Sequence, residues 1–126
     1  MQPGEVVSWQ LPTVLESAVM LIALARVGAV QNPIIPLLRE QEVRHITGQI
    51  GTTLFVVPTE WRGFDHEGMA RTIAKDAGFE VSTIDLSGAP GPQLRLPMGD
   101  PATLPAPPTD DQACRWIYYT SGTTSA

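Results

Sequence analysis

The sequence predicts an α/β fold, a parallel sheet with helices on both faces, and three observations carry that prediction. Short β-prone runs alternate with segments of helical periodicity across residues 6–84. Pro or Gly marks almost every transition. The resulting order, β-α-β-α-β-α-β, implies right-handed crossovers and parallel strands.

Val6-Val7-Ser8-Trp9-Gln10-Leu11 is β-prone and ends at Pro12, giving a strand near 5–11. Thr13 and Glu16 have the spacing of a capping box, so a helix is expected over 13–27, closed by Gly28. Its apolar residues, among them Leu15, Val19, Ile22 and Val27, cover most of the circumference, as in a helix buried between neighbours. Ala29 to Asn32 is a brief strand stopped by Pro33 and Pro36. Val43, Ile46 and Ile50 share a helical face over 39–50, with Gly51 at the end. Thr52 to Val57 is the clearest strand, and Pro58 stops it. Asp65 can cap a helix over 66–77, with Met69, Ala70, Ile73, Ala74 and Ala77 on one face and Gly78 at its end. Phe79 to Ile84 alternates apolar and polar, as a half-exposed or edge strand does.

Residues 87–113 differ in composition. Seven of the chain's twelve prolines fall there, which excludes a helix. The segment reads as an extended surface excursion returning the chain to the sheet for a last strand at 115–119.

At 126 residues the chain is one domain or part of one, and its 43% hydrophobic and 17% charged content is that of a globular protein. A net charge of −5 argues against nucleic acid or an anionic membrane as partner. Cys114 is the sole cysteine, so no internal disulfide is available, and a reducing, cytoplasmic setting is expected. The N-terminus lacks the basic segment of a secretory signal. The longest apolar run, Ala18 to Ala25, is eight residues against the ~20 of a membrane span.

The candidate site is the run Thr120-Ser121-Gly122-Thr123-Thr124. Four hydroxyls around one glycine can surround a polyanion with uncharged donors, and glycine lets consecutive backbone N–H groups converge on a phosphate oxygen. A solvated loop is the alternative reading, since the Gly-Lys-Ser/Thr ending of a Walker loop is absent. The β-rich lead-in Arg115-Trp116-Ile117-Tyr118-Tyr119 favours a site, because open α/β sheets bind nucleotides where strands end.

This run resembles the phosphate-binding motif of the AMP-forming adenylating enzymes: acyl-CoA synthetases, luciferases and peptide-synthetase adenylation domains. Gln10-Leu11-Pro12 resembles that superfamily's entry to its first helix, with Thr13 in place of Asn. Ala23 to Val30, Asn32-Pro33-Ile34-Ile35-Pro36 and Arg39-Glu40-x-Glu42-Val43 resemble the segments that follow, so the likeness covers nearly all the chain. Trp61-Arg62-Gly63-Phe64-Asp65-His66 resembles the cyclohexanecarboxylate and medium-chain acyl-CoA ligase branch, which would place the chain in fatty acid metabolism.

The resemblance implies an N-terminal fragment of an ATP-dependent acyl-CoA ligase. In the parent family a carboxylic acid attacks ATP to give an acyl-adenylate, and coenzyme A then displaces AMP. ATP, Mg²⁺ and coenzyme A are its cofactors, and none is expected to bind tightly here. The family's Pro-Lys-Gly, its Mg²⁺ ligand, its acyl pocket and its C-terminal domain have no counterpart in these residues. The expectation is therefore a partial adenylation domain, inactive alone, with no catalytic or metal-ligating residue of its own. The alternative is a non-catalytic α/β binding or assembly module.

The remaining polar and aromatic residues read as scaffold. His45 and His66 are assigned capping or solvated roles, and Cys114 a small packing role. Trp9, Trp116 and Tyr119 are assigned to sheet packing. Arg39 and Arg44 are read as a solvated helix face paired with Glu40 and Glu42.

Overall fold

The computed structural model describes residues 1–120. Strands β1 (Val6–Trp9), β2 (Val30–Pro33), β3 (Leu54–Pro58) and β4 (Glu80–Ile84) form one parallel sheet in the order β2-β1-β3-β4. Helix α1 (Leu15–Arg26) joins β1 to β2, α2 (Glu40–Ile50) joins β2 to β3, and α3 (His66–Ala77) joins β3 to β4.

Strand alternation builds two cores. Val7, Trp9 and Val56 point to one face, where Met20 and Leu24 of α1 cover them. Phe55 and Val57 point to the other, under Val43 and Ile46 of α2 and Met69, Ala70 and Ile73 of α3. Helices thus occupy both faces, as the sequence predicts. β4 pairs only with β3 among the described residues and carries the more exposed side chains of an edge. α2 and α3 end at Gly51 and Gly78, both left-handed, with N–H groups returned to Thr47 and Ala74.

Two expectations about elements are corrected. The capping box at Thr13 and Glu16 does not form: α1 starts at Leu15, its N-cap is Val14, and no side chain caps it. Glu16 is buried and engaged elsewhere. Its carboxylate accepts from Arg95 Nε and Nη2, both at 3.1 Å, and from the Arg95 backbone N–H at 3.2 Å. A two-pronged guanidinium contact outweighs a local cap, and the partner lies too far along the chain for local spacing to reveal it.

The expected strand at 115–119 is a single parallel bridge between Gln31 and Trp116, on the outer side of β2. Gln31 N–H donates to Arg115 O at 2.8 Å, and Ile117 N–H donates to Gln31 O at 2.9 Å. The next rung needs an N–H from residue 33, which is proline. Asn32 Nδ2 reaches Ile117 O instead, at 2.9 Å, and the ladder stops.

The excursion between β4 and this bridge contains a 3₁₀ turn at Pro101–Thr103 and no α-helix. It behaves as a strap. Leu96 packs on the α1-side core, Arg95 grips Glu16 and Leu86 O, and Pro108 lies against Gly28. A Cβ on Gly28 would sit 2.6 Å from Pro108 Cγ, and its φ of +80° also disfavours any other residue.

Candidate functional site

The carboxyl ends of β1, β2 and β3 open into two adjacent hollows. The larger, about 800 Å³, has an apolar floor that includes Trp9, Leu11, Ile34 and Ile46, and a rim that includes Tyr119 and Thr120. The smaller, about 430 Å³, lies between Leu11, Pro36, Trp61 and His66, with Arg39 and Arg62 on its walls. Ile35 and Pro36 belong to both, so the connection after β2 is the partition. The second hollow stands where the chain, having run outward from β1 to β2, crosses back to β3; ligands of open α/β sheets bind at such switch points.

A buried polar layer positions the partition. Gln10 is fully buried at the end of β1, and its Nε2 donates to Ile35 O and Leu38 O, both at 2.9 Å. Those two carbonyls fix the amide orientation, so Gln10 Oε1 must accept, and the contact at 3.2 Å requires a proton on His66 Nδ1. His66 is neither a cap nor solvated, correcting its sequence reading: it is buried in the first turn of α3, edge-on to the Phe64 ring. Burial pushes its pKa below 6.5, and the nearby Arg39 adds to the depression while Asp65 opposes it.

Two further amides anchor β2. Gln31 accepts from Trp9 Nε1 at 3.1 Å and donates to Leu21 O at 2.9 Å, joining sheet to α1. Ser8 Oγ lies 2.8 Å from Asn32 Oδ1 and 2.7 Å from Thr52 Oγ1, and Asn32 in turn holds Ile117 O. The polar positions of β1 look like a solvent face in sequence, but helices cover both faces and each polar group is paired internally.

The turn Trp61-Arg62-Gly63-Phe64 forms a small wall beside the second hollow. Trp61 and Phe64 exchange both backbone hydrogen bonds at 3.0 Å, and Arg62 and Gly63 both have positive φ, +50° and +80°. Arg39 is exposed, as expected, but its guanidinium lies 3.8 Å from the Phe64 ring centroid and donates to Pro36 O instead of pairing with Glu40 or Glu42. Arg44 pairs with Glu40 as expected, and also with Asp76. His45 is exposed at the first hollow, as read from sequence. Cys114 is exposed rather than packed. Trp9 packs in the sheet, Trp116 stacks on Tyr118, and Tyr119 instead leaves the sheet to bond Gln49 of α2.

Of the predicted site residues, Thr120 lies exposed on the rim of the first hollow. Ser121, Gly122, Thr123 and Thr124 lie outside the described residues. Among the described residues no group of three or more His, Cys, Asp or Glu side chains could hold a metal ion.

The family model for the AMP-binding enzyme matches residues 1–126. The chain belongs to the AMP-binding enzyme family. Curated relatives include the salicyl-AMP ligase / salicyl-S-ArCP synthetase of Mycobacterium tuberculosis, 34% identical over 97% of the chain and 22% of the relative. The sulfoacetate–CoA ligase of Cupriavidus necator is 31% identical over 96% and 23%. These relatives mark the family as one of AMP-forming acid–thiol ligases, and the chain spans about a fifth of their length. Among solved structures, an acyl-CoA synthetase of Brucella canis superposes with a TM-score of 0.70 at 21% identity, covering 98% of this chain and 22% of that one. ATP-bound MatB of Rhodopseudomonas palustris gives 0.61 at 21%, covering 71% and 17%. Both share the fold. No described helix is long and apolar enough to cross a membrane.

Proposed function

We propose that residues 1–126 are a partial adenylation domain of an AMP-forming acid–thiol ligase, and that Thr120 to Thr124 form its loop for the β- and γ-phosphates of ATP. In that reaction a carboxylate attacks the α-phosphorus, the bond to the bridging oxygen breaks, and pyrophosphate leaves. A thiol, coenzyme A in the acyl-CoA ligases, then displaces AMP from the acyl-adenylate. The role of this chain is to place hydroxyl and backbone N–H donors against the departing charge.

The supporting observation is the docking of 115–119. The Gln31–Trp116 bridge and the Asn32 amide pin this segment to β2, and Thr120 emerges at the carboxyl edge of the sheet, where nucleotide phosphates bind in α/β folds. Among the described residues no Lys or Arg lines the first hollow, and Glu42 does. Binding of ATP by the 126-residue chain should therefore be no tighter than roughly millimolar, about −4 kcal/mol.

Amide chemical-shift mapping with ATP tests the reading. Shifts centred on residues 120–124 and lost in Gly122→Val support it. Micromolar affinity, or millimolar affinity indifferent to Gly122→Val, refutes it.

A further inference from the structure

A relay of buried polar side chains crosses the sheet from the β3 side to the segment before Thr120. Asn32 Oδ1 accepts from Ser8 Oγ at 2.8 Å, which commits the only proton of the Ser8 hydroxyl. In the 2.7 Å contact between Ser8 Oγ and Thr52 Oγ1, Thr52 is therefore the donor. With its oxygen held by Ser8, the Asn32 carboxamide must turn Nδ2 toward Ile117 O, 2.9 Å away. Ser8 and Asn32 are fully buried and Thr52 nearly so, which leaves water little access to the relay. Each group has one orientation, and the order runs Thr52, Ser8, Asn32, Ile117.

The relay ends where the backbone ladder fails. Val30 and Ile34 direct their N–H groups to β1, at Glu5 O and Trp9 O, while Gln31 directs its own outward to Arg115 O. The same alternation aims the nitrogen of residue 33 outward, toward Ile117 O, and Pro33 has no proton to give. The Asn32 side chain supplies that rung from one residue earlier. Thr120 follows three residues after Ile117, so the rung sets where the chain leaves the sheet. We infer that Asn32 is a positioning residue for the proposed phosphate loop, and that Thr52, on the far side of β1, acts on the loop through Ser8 and Asn32. What is positioned rests on the phosphate-loop reading; how it is positioned rests on the hydrogen bonds alone.

The test is NMR on the 126-residue chain, first without ligand and then titrated with ATP. Asn32→Leu removes the donor; the Ile117 amide should then exchange its hydrogen faster, resonances of 117–120 should move, and ATP should bind about fivefold more weakly. Thr52→Val should give the same pattern at smaller size. Val43→Ala, in the core on the opposite face, is the control: it lowers Tm without touching the relay and should leave both readouts at wild type. Asn32→Leu with Pro33→Ala offers Ile117 O a backbone N–H in place of the lost one. It should restore the Ile117 exchange rate and ATP affinity toward wild type, which a merely destabilised fold would not do. Equal effects from Asn32→Leu and Val43→Ala, or no recovery with Pro33→Ala, overturn the inference. If Asn32→Leu does not fold, Thr52→Val against Val43→Ala decides it by the same comparison. Absence of ATP-induced shifts at 120–124 in wild type would sink the phosphate-loop reading, and the ligand-free comparison would still decide whether Asn32 positions residues 117–120.

Discussion

Gln10 and His66 show how a buried pair can organise two hollows at once. Gln10→Leu would strand Ile35 O, Leu38 O and His66 Nδ1, each at about 1–3 kcal/mol. Chemical denaturation should show a lower midpoint, and His45 and Tyr119, on the far wall, should shift in NMR spectra as the partition relaxes. His66 also gives the fold a pH slope. Its folded-state pKa is depressed, so the fold favours the neutral ring. The resulting stability is fully present above pH 6.5 and declines as pH falls below it, because the unfolded chain then binds the proton more readily. His66→Asn retains a donor near the Nδ1 position and should flatten Tm against pH between 7 and 5. An unchanged slope would place its origin in another group. Sequence alone left these residues as scaffold, since a buried polar side chain in a strand looks like a solvent-facing one until both sheet faces are known to be covered.

At the scale of elements, the three helices and four strands were legible because Gly and Pro sit at their ends and the apolar periods are clean. Asp65 is the plainest case: it caps α3 through Gly68 N–H at 2.9 Å, and the helix runs over the expected 66–77. The two misreadings share a cause. Glu16 and the 115–119 segment take their roles from partners far along the chain, Arg95 in one case and β2 in the other, and local spacing carries no trace of them. The Glu16–Arg95 pair makes the strap acid-sensitive. Arg95 pulls the Glu16 carboxyl from 4.5 down to about 2, so the stability it adds is present above pH 4.5 and lost as pH falls toward 2. Arg95→Met should lower Tm at pH 7, with the difference from wild type shrinking through that window. A difference constant from pH 7 to 2 would mean Arg95 acts by packing alone.

For the whole molecule, the fold brings Thr120, the first residue of the proposed phosphate loop, to the carboxyl edge of a four-stranded sheet. Among the described residues there is no carboxylate cluster for a metal and no Lys or Arg in the first hollow. The 126-residue chain is therefore expected to show no carboxylate-dependent exchange of pyrophosphate into ATP, assayed with a panel of aromatic, aliphatic and sulfonated acids. Exchange above background would show that the chain holds catalytic groups beyond those assigned.

The strap also has a kinetic consequence. Its anchoring contacts join residues separated by 79 positions at Glu16 and Arg95 and by 85 at Asn32 and Ile117. Contacts of such separation form late, since their loop-closure cost is met only after the surfaces they join exist. The sheet and α1 must therefore assemble first, and the strap latches onto them afterwards. Substitutions at Arg95 or Gly28 should steepen the escape from the native state while leaving the refolding rate near that of wild type. In stopped-flow measurements the unfolding limb alone would rise, and residues 115–120, at the end of the strap, would be the last of the described residues to reach their place.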